Sequence, residues 1–181
     1  MRRLAQPEAR RVERRGAVLL ADALVGSGRF GEPRIDPAQV EEGDPIAQLE
    51  AGLVLGIRDY FQKQALPPRA VIGLSGGIDS AVTAHLAVEA LGADAVLGIL
   101  MPGPFSSDHS VEDALALSRN LGIESRTVDI QPLYQEFTRV FADLFGERED
   151  YGLAGQNIQS RLRGATLMAV SNAENRLILA T

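Results

Sequence analysis

The stretch V-I-G-L-S-G-G-I-D-S, residues Val71–Ser80, decides how this chain is expected to fold. It opens with a short, largely apolar run that contains two β-branched residues and follows a pair of prolines, which is the pattern of a buried strand. Gly76 and Gly77 come next, and a helical pattern then continues to Gly92. The stretch therefore predicts a strand, a glycine turn and a helix N-terminus in immediate succession.

This succession predicts an anion-binding loop. Several backbone N–H groups and the positive end of a helix dipole point at one spot, where phosphate or pyrophosphate is the natural occupant. Gly76 and Gly77 allow the backbone to close on the phosphate oxygens, because neither carries a Cβ. Asp79 adds a carboxylate beside the loop, which suits a divalent cation that bridges it to the phosphates.

A plainer interpretation of the same residues remains open at this point. Gly76 and Gly77 could form only a tight turn, and Asp79 or Ser80 could serve only as a helix N-cap. Two common phosphate loops do not apply. No lysine follows the glycines, as G-x-x-x-x-G-K-[ST] requires, and the glycine spacing differs from G-x-G-x-x-G.

The rest of the chain alternates between predicted strands and helices. Such alternation predicts an α/β fold, a doubly wound parallel sheet with helices on both faces. The predicted strands are Val71–Leu74, Ala95–Met101, Ser125–Ile130 and Arg176–Thr181. The predicted helices are Pro45–Leu66, Ser80–Leu91, Ser110–Leu121, Leu133–Phe145 and Asn157–Asn172.

Ligands of open α/β sheets bind beyond the carboxyl ends of the strands. We therefore expect three segments to meet at one edge of the sheet: Ser75–Ser80, Met101–Ser107 and Thr181.

Composition narrows the class of protein further. The chain of 181 residues has a net charge of −6 and no cysteine. The negative charge argues against nucleic acid or a membrane surface as a partner. The lack of cysteine excludes disulfides and a cysteine nucleophile within these residues, and no apolar run has the length of a membrane span. We expect a cytoplasmic protein.

Five stretches of the chain resemble NAD synthetase, in the order in which that family has them. The match is to the synthetase domain of the two-domain, glutamine-dependent enzymes, and it places the chain among the N-type ATP pyrophosphatases, whose fold is Rossmann-like. The stretches are I-G-L-S-G-G-I-D-S-A, G-I-L-M-P-G-P-F-S-S-D-H-S-V-E-D-A, N-L-G-I, Q-N-I-Q-S-R-L-R-G-A-T-L-M-A-V-S-N and L-I-L-A-T.

The resemblance implies an ATP-dependent amidation. The carboxylate of deamido-NAD (nicotinic acid adenine dinucleotide) attacks the α-phosphate of ATP, which gives an acyl-adenylate and pyrophosphate. Ammonia, supplied directly or from glutamine, then displaces AMP and leaves the amide of NAD. Mg²⁺ and fixed N–H dipoles would stabilise the charge that develops on pyrophosphate.

The resemblance also assigns residues, and it assigns none a catalytic role beyond the nucleotide and metal site. Asp79 would ligate Mg²⁺. Asn157 and Arg161, one turn apart, would contact deamido-NAD, and we favour Arg161 over Arg163. The ATP-binding residues would be Gly73, Leu74, Ser75, Gly76, Gly77, Ile78, Asp79, Ser80, Met101 and Thr181.

The family pattern extends beyond this chain at both ends. In the family, an N-K-S-E segment with a second Mg²⁺ ligand follows the position of Thr181, so we expect a synthetase domain at 45–181 that is truncated at its C-terminus. We also expect the 181 residues alone to form NAD negligibly. Residues 1–44 are interpreted as a basic helix and linker, the remnant of a glutaminase domain.

Two further expectations concern association and the alternative functions. The apolar stripe of helix Pro45–Leu66 and the pairing of synthetase domains in the family suggest a homodimer. Another ATP pyrophosphatase, such as a GMP synthetase-like ligase, and a non-catalytic nucleotide-binding module remain alternatives.

We expect Asp79→Ala to weaken the binding of ATP in the presence of Mg²⁺ more than in its absence, because the carboxylate acts through the metal ion. Isothermal titration calorimetry with Mg²⁺ and with EDTA measures both affinities. An equal loss under the two conditions would mean that Asp79 only supports the start of the helix.

Overall fold

The computed structural model describes residues 44–146, 148 and 151–180. The predicted N-terminal helix, the linker before residue 44 and Thr181 lie outside these residues. The helices are α1 Pro45–Lys63, α2 Ile78–Leu91, α3 Asp108–Leu121, α4 Gln131–Phe145 and α5 Gly152–Glu174. The strands are β1 Ala70–Leu74, β2 Val96–Leu100, β3 Glu124–Thr127 and β4 Leu177–Leu179.

The chain divides into two compact units, Met1–Leu55 and Gly56–Thr181. The described part of the first unit is the beginning of α1, where the Asp44 carboxylate accepts a hydrogen bond from the N–H of Ile46 at 3.2 Å. Asp44 thus caps the helix, which begins at Pro45. The predicted domain boundary at residue 45 stays a prediction, because residues 1–43 are not described.

The four strands form one parallel sheet in the order β3-β2-β1-β4. Alternate residues of β1 point to opposite faces of this sheet. Ile72 and Leu74 pack with the alanines of α2 and α3, whereas Val71 belongs to a second cluster that includes Leu167 and Val170 of α5. Helices cover both faces, which confirms the predicted doubly wound α/β fold.

Several element boundaries differ from those predicted. The strand predicted at Ser125–Ile130 is Glu124–Thr127, although the N–H groups of Val128 and Ile130 still bond to the carbonyls at 100 and 102, at 2.8 and 3.0 Å. The helix predicted at Asn157–Asn172 begins earlier, at Gly152, and ends at Glu174. Asn175, with a φ of 52°, ends it in the left-handed conformation that asparagine tolerates.

An ion network fastens the end of α5 to the amino end of the sheet. Glu174 accepts hydrogen bonds from Arg126 of β3 and from Arg176, the latter at 3.0 Å. Arg176 in turn donates to the carbonyl of Ala95 at 3.2 Å, just before β2. The guanidinium groups of Arg126 and Arg176 lower the pKa of Glu174. The network fixes the position of α5 along the sheet. It therefore also fixes the positions of the α5 residues that lie near the carboxyl ends of the strands.

None of the helices within the described residues has the length and apolar character needed to cross a bilayer.

Candidate nucleotide site

A cleft opens at the carboxyl ends of the strands. Its volume is about 560 Å³, within the range of roughly 300–1,000 Å³ that is usual for small-molecule sites. It lies where strand order reverses between β1 and β4, the position at which doubly wound sheets bind ligands. The lining residues are Gly73, Leu74, Ser75, Leu100, Met101, Pro102, Phe105, Ser106, Ser107, Ser110, Val111, Ser160, Arg163, Gly164, Leu167, Leu179 and Ala180.

The loop after β1 lies directly against the first turn of α3. Gly76 has a φ of +77°, and a Cβ at this position would stand 2.4 Å from the carbonyl oxygen of Ser110. No other residue type fits there without movement of the α3 backbone. This close approach brings the turn after β1 and the start of α3 to the same cleft, to which Ser110 contributes as well.

Two hydroxyl groups brace the loop from within. The buried Ser80 hydroxyl donates to the carbonyl of Gly77 at 2.9 Å and accepts from the N–H of Ser75 at 3.3 Å. It also lies 3.1 Å from the Ser75 hydroxyl, which accepts from the N–H of Gly77 at 3.2 Å. These bonds hold the turn in one shape before any ligand arrives. Ser80 thus contributes to the loop by supporting its backbone.

The N-terminus of α2 has no side-chain cap. Its N-cap residue is Gly77, which has no side chain to accept a hydrogen bond from the first turn. Helix α3, by contrast, is capped by Ser107, whose hydroxyl accepts from the N–H of Ser110 at 3.2 Å. The first N–H groups of α2 are therefore available to an anion, together with the positive end of the helix dipole.

Asp79 lies in the first turn of α2 and is exposed. The interpretation of Asp79 or Ser80 as the N-cap is wrong, because Gly77 occupies that position. No group of three acidic or histidine side chains that could hold a metal occurs within the described residues. Asp79 alone suits a Mg²⁺ ion that takes its remaining ligands from phosphate oxygens and water, which is how Mg²⁺ accompanies nucleotides.

Four of the ten predicted ATP-binding residues, Gly73, Leu74, Ser75 and Met101, line the cleft. The turn and first helical residues at 76–80 follow directly from Ser75 but do not belong to the lining, and their role in binding ATP stays a prediction. Thr181 lies outside the described residues, although its neighbour at 180 lines the cleft.

The two residues predicted to bind deamido-NAD lie elsewhere. Asn157 and Arg161 are exposed on α5 and do not belong to the lining of the cleft. Their role stays a prediction.

Arg163 lines the cleft and was not favoured by the sequence. Its Nε donates to the carbonyl of Met101 at 3.4 Å and its Nη2 to the hydroxyl of Ser106 at 3.5 Å. Burial lowers the pKa of this guanidinium, which nevertheless stays charged. The spacing of the α5 residues in the lining, 160, 163, 164 and 167, is that of one helical face, and this periodicity was the available signal.

Comparison with known proteins identifies relatives of the chain. A family model described as NAD synthase matches residues 49–181. A glutamine-dependent NAD(+) synthetase from Synechocystis sp. is 49% identical over 134 residues, which make up 74% of this chain and 24% of the relative. The chain spans about a quarter of the length of the glutamine-dependent relatives that it matches.

Solved structures agree with this match. The glutamine-dependent NAD+ synthetase from Acinetobacter baumannii, in complex with ADP, superposes with a TM-score of 0.70 at 36% identity, over 77% of this chain and 27% of that one. An NMN synthetase from Francisella tularensis gives a TM-score of 0.66 at 32% identity, over 76% of this chain and 54% of the other.

We expect Gly76→Ala to destabilise the fold more than Gly122→Ala. Both glycines have positive φ, +77° and +67°, but a Cβ at Gly122 meets nothing within 4 Å. The conformational strain of about 1–2 kcal/mol is common to both variants, and the contact with Ser110 adds about 1–3 kcal/mol at Gly76 alone. Denaturant unfolding measures both free energies, and equal losses would contradict the close approach.

Proposed function

The chain belongs to the NAD synthase family, and we propose that it carries the ATP-binding part of a site that amidates deamido-NAD to NAD. The observation that carries the proposal is the uncapped start of α2 beside a braced glycine turn, at the switch point of a parallel sheet. This arrangement suits the phosphates of ATP. The domain from residue 45 onward would be the unit that performs this role.

The reaction has two steps. A carboxylate oxygen of deamido-NAD attacks the α-phosphorus of ATP, the bond to the β-phosphate oxygen breaks, and pyrophosphate leaves. Ammonia then attacks the activated carbonyl carbon, AMP departs with the former carboxylate oxygen, and the nitrogen loses a proton to give the amide. Activation is needed because a free carboxylate has no leaving group for ammonia to displace.

The loop residues would stabilise the departing pyrophosphate. The free N–H groups at the start of α2 are held by the Ser75 and Ser80 hydroxyl bonds, so they need little rearrangement as negative charge develops. Met101 and Thr181 would contact the rest of ATP. Asp79 would ligate Mg²⁺, whose role when bound is to neutralise phosphate charge.

The proposed dinucleotide contacts rest on a different surface. Asn157 and Arg161 are exposed and lie one helical turn apart on α5, so a large ligand can reach both at once. A guanidinium and an amide suit the phosphate and ribose groups of a dinucleotide. Ammonia and glutamine both remain nitrogen sources, since relatives named for each match the chain.

We further propose that the chain forms a homodimer and works in the cytoplasm. The start of α1 exposes Ile46, Leu49 and Leu53, with 75%, 64% and 46% of their surfaces accessible. Such a stripe is typical of a helix that packs against a partner.

We expect light scattering to find a dimer and Leu49→Glu to shift it towards monomer, because a charge cannot be buried there. A wild-type monomer at high protein concentration would argue against this.

The activity is best tested in a chimera. Residues 45–181 would replace their counterpart in the Synechocystis relative, which is 49% identical over the matched region. We expect NAD, AMP and pyrophosphate to form in equal amounts from ATP, deamido-NAD and ammonia. Asp79→Ala in the same chimera is the matched control and should slow the reaction by about 100-fold or more.

Other outcomes would change the assignment. Amidation of the corresponding mononucleotide instead would favour an NMN synthetase like the Francisella tularensis neighbour, and pyrophosphate release driven by xanthosine monophosphate would favour a GMP synthetase-like ligase. A folded chimera that binds ATP without forming NAD would contradict the proposed activity and favour a binding module.

A further inference from the structure

Arg163 is the one charged side chain among the described residues that line the cleft. The other polar side chains of this lining are five serines, at positions 75, 106, 107, 110 and 160. No carboxylate belongs to the same set, so the lining carries a net positive charge, although the whole chain has a net charge of −6. The net positive charge of the cleft lining favours an anionic ligand.

Arg163 has no carboxylate partner within the described part of the chain. Its hydrogen bonds go to a carbonyl and a hydroxyl, at 3.4 and 3.5 Å, near the upper limit for such bonds. The Ser106 hydroxyl already accepts a shorter bond, 3.0 Å, from the N–H of Gly103. Arg126, Arg139 and Arg176, by contrast, all pair with glutamates.

A half-buried guanidinium without an ion pair is energetically unfavourable. It has lost part of its hydration, as the lowered pKa also indicates, and no protein anion compensates for the loss. Its planar array of five N–H donors is suited to phosphate oxygens, and the two long bonds leave most of those donors available. An anion bound in the cleft would compensate the guanidinium for the hydration that it lost on burial.

We propose that Arg163 binds the phosphate chain of ATP in this cleft, opposite the loop after β1. This inference rests on the proposed function, since it assumes that ATP occupies the cleft. The bonds to Met101 and Ser106 hold the guanidinium at the lining before ATP binds. Ser75 of the loop after β1 lines the same cleft, so a phosphate chain bound there can contact both this loop and Arg163.

The alternative to phosphate binding is a purely structural role for Arg163. Through Met101 and Ser106 it also ties α5 to the segment that follows β2. If that tie were its sole function, loss of the charge would disturb the base and ribose contacts of ATP as much as the phosphate contacts. The two roles therefore predict different ligand dependence.

The test compares Arg163→Gln with Arg119→Gln in the 181-residue chain. Both variants remove one positive charge, but Arg119 is exposed on α3 and outside the cleft. Competition binding with ATP, inorganic tripolyphosphate and adenosine separates phosphate contacts from nucleoside contacts. We expect Arg163→Gln to weaken ATP and tripolyphosphate by about 10- to 100-fold and adenosine by less than about twofold. Arg119→Gln should leave the affinity for ATP within about twofold of that of the wild type.

One more variant keeps the test decisive if Arg163→Gln does not fold. Arg163→Lys retains the charge without the planar donor array, so we expect it to lose less tripolyphosphate affinity than the glutamine variant, but still a measurable part.

The possible contrary results are distinct. Unchanged tripolyphosphate affinity in both Arg163 variants, or equal losses of ATP and adenosine, would overturn the assignment while wild-type ATP binding still supports the proposed function. A wild-type chain that binds neither ATP nor tripolyphosphate would overturn both.

Discussion

The backbone of the turn after β1 touches the first turn of α3, and the cleft depends on that contact. A side chain at Gly76 would come within 2.4 Å of the Ser110 carbonyl oxygen, so the two segments can meet only through a glycine. Because they meet, Ser75 at the end of β1 and the serines at the start of α3 line one cleft. The Ser75 and Ser80 hydroxyl bonds then hold the turn in that position.

A ligand in the cleft is influenced mainly by the charges that lie close to it. A chain with a net charge of −6 can still bind a polyanion, because screening by salt limits the reach of distant charges to roughly 10 Å. Within that distance the described lining offers one guanidinium and five hydroxyl groups, while the neighbouring start of α2 adds free N–H groups. Asp79 is exposed in the first turn of α2 and does not belong to this lining.

Helix α5 connects the amino ends of the strands with their carboxyl ends. At the amino ends, Glu174 holds the end of this helix between Arg126 and Arg176. About three helical turns earlier, at the carboxyl ends, Arg163 reaches the segment that follows β2. The face of α5 that includes Leu167 and Val170 packs on the sheet between these points. Its packing therefore determines which of its side chains enter the cleft.

Local patterns were sufficient to predict the strand-turn-helix at Val71–Ser80, the parallel α/β fold and the family, because periodicity, glycine spacing and motif order can be read along the chain. It also predicted correctly that the segments after β1 and β2 share one edge. Which arginine of α5 enters the cleft, by contrast, depends on contacts that form only in the folded chain. Arg161 and Arg163 project about 160° apart on the helix. The packing of α5 on the sheet, a long-range contact that no local pattern encodes, turns Arg163 inward. The need for glycine at position 76 has the same origin, because Ser110 lies far away in sequence and meets Gly76 only in the folded chain.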